Sequence, residues 1–180
     1  LAGGGQYMFG FAQPVPVNFH NLGHPRRDMV LVAAAGPGAN ILIASLAGLA
    51  IALFGRGFMD MDPAVGHLLF MNIYIMLKIN IILAIFNLIP LPPLDGGRIA
   101  VGLLPQPFSH MLAGVEKSGF LIILFALFIL PQIGDMLGMN WNVLSFLVGG
   151  PSDFVSDLIT AYTGADNVLS DPLFRWWANH

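Results

Sequence analysis

The chain has 180 residues, 56% of them hydrophobic and only 9% charged, where soluble domains carry about 25% charged residues. That balance excludes an ordinary water-soluble domain, and a net charge of −3 with scattered Lys and Arg residues argues against a nucleic-acid partner. Cysteine is absent, which excludes disulfides and thiolate metal sites, and the length suits one compact bundle of three or four helices.

Residues 1–28 read as loop. Gly3-Gly4-Gly5 is flexible, and Pro14 and Pro16 bias the residues before them toward extended backbone. His20-Asn21-Leu22-Gly23-His24 imitates the zinc-protease pattern H-E-x-x-H, but that chemistry needs a helix and a Glu after the first His. Here Asn21 replaces the Glu, Gly23 weakens a helix and Pro25 disfavours helical geometry at His24, so the pair is not read as a metal site.

The first span is predicted over Met29 to Phe54. Inside it, Pro37 of Gly36-Pro37-Gly38-Ala39-Asn40 is expected to kink the helix, and the glycines permit close helix approach. Gly55 to His67 is expected as a short polar connection. Leu68 to Ile89 follows as a second span, above the ~20 residues that cross a bilayer. Lys78 and Asn80 sit near its middle, where a charge is costly unless it faces the bundle interior or reaches an interface; the sequence assigns Lys78 no role.

Gly96 to Leu104 is predicted as a short helix, Gly119 to Pro131 or Ile133 as a third, short span, and Trp141 to Val148 as too short to cross alone. From Ser152, apolar residues Phe154, Val155, Leu158, Ile159 and Tyr162 recur at helical spacing. They predict an amphipathic helix on the membrane surface, with Trp176 and Trp177 at the interfacial belt and a flexible tail from Thr163. The fold class is therefore all-α: a polytopic membrane helix bundle with about three transmembrane helices and a C-terminal amphipathic helix. Residues 1–150 form the membrane-embedded core, and 151–180 an amphipathic, interfacial or flexible tail.

The most informative stretch is Phe86-Asn87-Leu88-Ile89-Pro90-Leu91-Pro92-Pro93-Leu94-Asp95-Gly96-Gly97-Arg98. Pro90, Pro92 and Pro93 end the second span by removing N–H donors. Irregular backbone at membrane depth is tolerated only where protein buries it or it lines a wet cavity, and a carboxylate there is a functional-site candidate. Asp-Gly-Gly alone also fits an ordinary turn or helix cap. The whole pattern Asn-x-x-Pro-x-x-x-x-Asp-Gly-Gly-Arg behind an apolar helix resembles the second signature of the site-2 protease family of intramembrane zinc metalloproteases. Further agreement comes from Ala12 to Asp28, from Gly-Pro-x-x-Asn in the first span, and from Glu116-Lys117 before the third.

The resemblance implies the site-2 protease type of bundle, a Zn2+ cofactor, and Asp95 as its third protein ligand. It implies that Asn87 binds substrate backbone or the tetrahedral oxyanion, with Asn40, Asn80 and Gly96 shaping the substrate cavity around the ligand set. Arg98 is expected to serve structure at the membrane edge. The implied activity is a metalloendopeptidase that cleaves membrane-protein substrates within or near transmembrane helices, with such segments and the lipid bilayer as partners. A cell (inner) membrane location is implied. Arg26, Arg27, Arg98 and Lys117 fall on one side and Arg56 on the other, so the Asp95 end is expected to face the cytoplasm.

One departure qualifies this. The only glutamate is Glu116, and H-E-x-x-H is absent. The chain is therefore expected to be the C-terminal part of an active enzyme, the alternative being a catalytically inactive relative that binds transmembrane segments. A small channel or transporter, with Lys78, Asn80, Asn87 and Asp95 along its path, is a third class.

Overall fold

A computed structural model describes residues 25–139 and 141–179. The His20–His24 pair and the segment around Pro14 and Pro16 lie outside the described residues. All elements among the described residues are helical, and three helices are long and apolar enough to cross a membrane.

Helix α1 runs over Pro25–Phe58, 34 residues, with Asp28 in its first turn and Arg56 in its last, each sign suited to the local end of the helix dipole. Pro37 lies inside it and is buried. Helix α2 spans Pro63–Asn87. The polar connection predicted over Gly55 to His67 shrinks to residues 59–62, because Asp62 caps α2. Its carboxylate accepts from the backbone N–H groups of Ala64 and Val65 at 3.1 and 3.3 Å, and Pro63 needs no partner at the first helical position. The tight connection makes α1 and α2 an antiparallel hairpin, packed along much of their length.

Two short helices follow the proline loop, α3 over Asp95–Leu103 and α4 over Gln106–Gly114. The third span comprises α5 (Glu116–Leu124), a π-helical segment (Phe125–Ile129) and α6 (Leu130–Met136), 21 residues in all. It is longer than the sequence pattern indicated. Pro131 cannot donate into the helix ladder, and the turn before it widens, with the Leu130 N–H reaching back to Phe125 O. The same arrangement recurs where the π-helical segment Ser145–Gly149 leads into α7 (Gly150–Thr163), which carries Pro151 in its first turn. Two short helices, α8 (Asp166–Leu169) and α9 (Pro172–Ala178), complete the described chain.

The core joins Ala44, Ala47 and Ile51 of α1 and Phe70, Leu77 and Ile81 of α2 with Ile159 of α7, Val168 of α8 and Phe174 of α9. Phe174 meets the Phe70 ring edge-on at a centroid distance of 4.9 Å. Leu31, Leu42, Leu46 and Leu53 on α1 and Phe120, Leu121 and Phe128 on the third span point outward. In water such a surface would aggregate, whereas in a bilayer it is solvated by acyl chains.

In the C-terminal segment α7 lies against α1 and α2, and the residues after Thr163, expected as a flexible tail, form α8 and α9 with Val168 and Phe174 in the core. The α7 face carrying Ser152, Ser156 and Ile159 is buried, and Phe154, Leu158 and Tyr162 are exposed. Ser156 is bonded to Lys78 of α2, and the hydroxyls of Ser45 in α1 and Tyr162 share a hydrogen bond. A helical apolar stripe fits a bilayer surface and a helix–helix contact equally well, and the pattern alone does not choose between them.

The loop over 88–94 is held by close approach. Pro92 is buried. A Cβ on Gly97 would lie 2.2 Å from Pro92 N, and one on Gly119 of α5 would lie 1.6 Å from Pro92 O. The third span therefore rests on the loop through a contact only glycine allows. Gly119→Ala is predicted to lower the melting temperature in detergent by several degrees, as overpacking costs about 1–3 kcal/mol. Gly57→Ala, in open space on α1, should leave it level or slightly raised. Phe174→Ala should destabilise by about 3 kcal/mol or more, read as a lower melting temperature and faster proteolysis after Thr163; unchanged behaviour would return the segment to a loose tail.

Candidate functional site

Asp95 is the first residue of α3, preceded by Leu94 in extended conformation (φ −67°, ψ 157°). The proline loop delivers it there, and the N-terminal end of the helix favours a carboxylate. Helix α3 packs against α1, and Asp95 Oδ2 lies 2.8 Å from the position a Cβ would take on Gly36. The carboxylate thus sits directly against the α1 backbone, at a place any larger residue would contest. It is half-buried, and among the described residues it has no hydrogen-bond or ion-pair partner.

Asn40 lies one helical turn after Gly36, so both share the α1 face that meets Asp95. It is half-buried, without a side-chain hydrogen bond among the described residues. Asn87 is the last residue of α2, and its amide is likewise unengaged by described residues. Gly96 is buried, and a Cβ there would lie 2.2 Å from Leu88 O. Asn87 and Asp95 are the residues that precede the two partners of this contact, Leu88 and Gly96. Asn80 behaves differently: its amide donates to Met76 O in its own helix at 2.8 Å, so it is two turns from Asn87 and spent on local backbone.

Arg98 forms an ion pair with Glu116 at 3.7 Å, with both side chains about half exposed. It ties α3 to the start of the third span, the structural role expected of it, and an exposed pair of this kind contributes about 1 kcal/mol or less. Arg26 donates to Ser109 of α4 at 3.4 Å, so these two basic residues gather near α3 and α4. From the sequence, Gly36 is a packing position at the head of the Gly-Pro-x-x-Asn pattern, with no assigned contact. Its i, i+4 spacing to Asn40 was the available signal, but nothing local indicates that a carboxylate 59 positions later would land on it.

Zinc takes His, Cys, Asp or Glu donors. Asp95 is such a donor, with its oxygens unclaimed by described residues. Among the described residues no three His, Cys, Asp or Glu side chains gather as a metal would require. They fit zinc as the source of one ligand and do not form a complete set.

The chain matches peptidase family M50 over residues 58–131, from the end of α1 through α2, the proline loop and Asp95 to the third span. It is 37% identical over 123 residues to "Putative zinc metalloprotease YwhC" of Bacillus subtilis (strain 168), an alignment covering 68% of this chain and 56% of that relative. The chain thus spans little more than half the length of the curated relative it matches. No solved structure matches. With the Asn87–Arg98 motif folded as a glycine-clamped loop that sets a carboxylate against a membrane helix, the chain belongs to peptidase family M50, the site-2 protease family.

Proposed function

We propose that this chain is part of a zinc-dependent intramembrane metalloendopeptidase that cleaves membrane-protein substrates within or near their transmembrane helices. The supporting observation is the Asp95 carboxylate, without a partner among the described residues and held against Gly36 at the end of a membrane-spanning hairpin. On this reading Asp95 supplies one metal ligand, and the remaining donors come from outside the described residues. Zinc there supplies Lewis-acid polarisation of a peptide carbonyl. The chain's own residues do the rest. The clamped loop fixes Asp95, the Asn87 amide, unengaged by described residues, donates to substrate backbone or to the developing oxyanion, and Asn40 sits one turn from Gly36 on the α1 face that meets Asp95. The basic residues near α3 and α4 support a multi-pass arrangement in the cell membrane with the Asp95 end toward the cytoplasm.

In the natural full-length protein, Asp95→Asn should abolish zinc retention and lower cleavage of a membrane-embedded substrate by about 100-fold or more, beyond what loss of an outer-shell partner costs. Metal analysis and a reconstituted cleavage assay check both, and full activity with bound zinc would overturn the assignment. Asn87→Ala should keep zinc and lower kcat by about 100-fold; retained kcat would remove Asn87 from the chemistry. Gly36→Val should lower zinc occupancy although Gly36 has no donor side chain, because its Cβ would occupy the space of the carboxylate. Unaltered occupancy would show that the contact does not position Asp95.

A further inference from the structure

Lys78 lies in the second half of α2, inside a span, and neither the family motif nor the proposed chemistry uses it. Its ammonium donates to Ser156 of α7 at 3.0 Å and forms no ion pair with a described residue. An ammonium at such depth requires an anion, water or a path to the interface. Beside it opens a cavity of about 290 Å³ between α2 and the chain leading into α7. One turn before Ser156, Ser152 lines the same cavity; it is 8% exposed and its Oγ has no hydrogen-bond partner. A buried hydroxyl left unpaired costs about 1–3 kcal/mol, and rotation about one bond to another staggered well re-aims it.

Lys78 and Ser152 give the cavity a cation and a hydroxyl, and Ile81, Ile82, Leu144 and Val148 give it apolar walls. Asn142 and Ser145 also line it, with the Asn142 side-chain carbonyl oxygen already taken by the Ser145 N–H. Leu144 and Val148 also border a smaller apolar void of about 50 Å³ that continues toward the proline loop. Asp153 stands exposed at the rim, outside ion-pair distance of Lys78. A cation with an unpaired hydroxyl in an apolar-walled cavity within a bilayer complements a carboxylate carried on a single apolar chain.

We propose that this cavity binds a free fatty acid, its carboxylate on Lys78 Nζ and Ser152 Oγ and its acyl chain along Ile81, Ile82, Leu144 and Val148. This goes beyond the peptidase reading and does not depend on it. The test uses the full-length protein, delipidated in a non-ionic detergent, with laurate as probe and native mass spectrometry as readout. One laurate should bind per chain, and 1-dodecanol should not displace it. Lys78→Gln should weaken binding by about tenfold or more, since hydrogen bonds to charged groups are worth about 1.5–3 kcal/mol, and Ser152→Ala by about three- to tenfold. Absence of bound laurate, equal displacement by dodecanol, or unchanged affinity in Lys78→Gln would overturn the proposal. If Lys78→Gln fails to fold, unchanged affinity in Ser152→Ala overturns it alone.

Discussion

The contact of the Asp95 carboxylate with the α1 backbone at Gly36 is the constraint on which the rest of the site depends. A carboxylate near a membrane needs either compensation or a task. Here it lies close against Gly36, with no described residue to neutralise it. The close approach is achieved by removing side chains rather than adding bonds. Gly36 admits the carboxylate, Gly96 and Gly97 let α3 close over Leu88 and Pro92, and Gly119 lets the third span press on the Pro92 carbonyl. Pro92 at the centre of the proline loop is thereby buried in protein, the condition under which irregular backbone survives at membrane depth.

This arrangement explains why three spans are organised around a short, non-helical stretch. The α1–α2 hairpin provides a stiff frame through its small-residue core, Ala44 and Ala47 against Leu77 and Ile81. The third span approaches the loop at Gly119, where an added Cβ would strike the Pro92 carbonyl. Toward the opposite end of the hairpin, α8 and α9 fold back and seal it with Val168 and Phe174. A change at Gly119 would reach Asp95 through the Pro92 carbonyl without touching any side chain that carries charge.

Much of this was legible in the sequence. Apolar runs of bilayer length gave the spans, prolines marked their ends, and the Asn87–Arg98 spacing singled out the carboxylate. What was not legible came from contacts between residues far apart. The seat of Asp95 on Gly36 joins positions 59 apart, and the Lys78–Ser156 bond joins positions 78 apart. Which surface the apolar stripe of α7 meets was not legible for a different reason. An apolar stripe on a helix reports that one face avoids water, and both lipid and a neighbouring helix satisfy that demand. The Asp62-Pro63 cap, by contrast, was a readable start signal for α2 that the polar composition around it obscured.

The most direct test of the central claim uses the absence of native cysteine. A Gly36→Cys/Asp95→Cys double variant in native membranes would place its two engineered thiols side by side, since a Cβ on Gly36 lies 3.8 Å from Asp95 Cγ, about where the sulfur of Asp95→Cys would sit. The account predicts rapid, near-complete intramolecular cross-linking on mild oxidation, and its loss when Gly119→Ala is added. Failure of the double variant to cross-link, while inserted and folded, would contradict the placement of Asp95 against α1 and with it the site built on that contact.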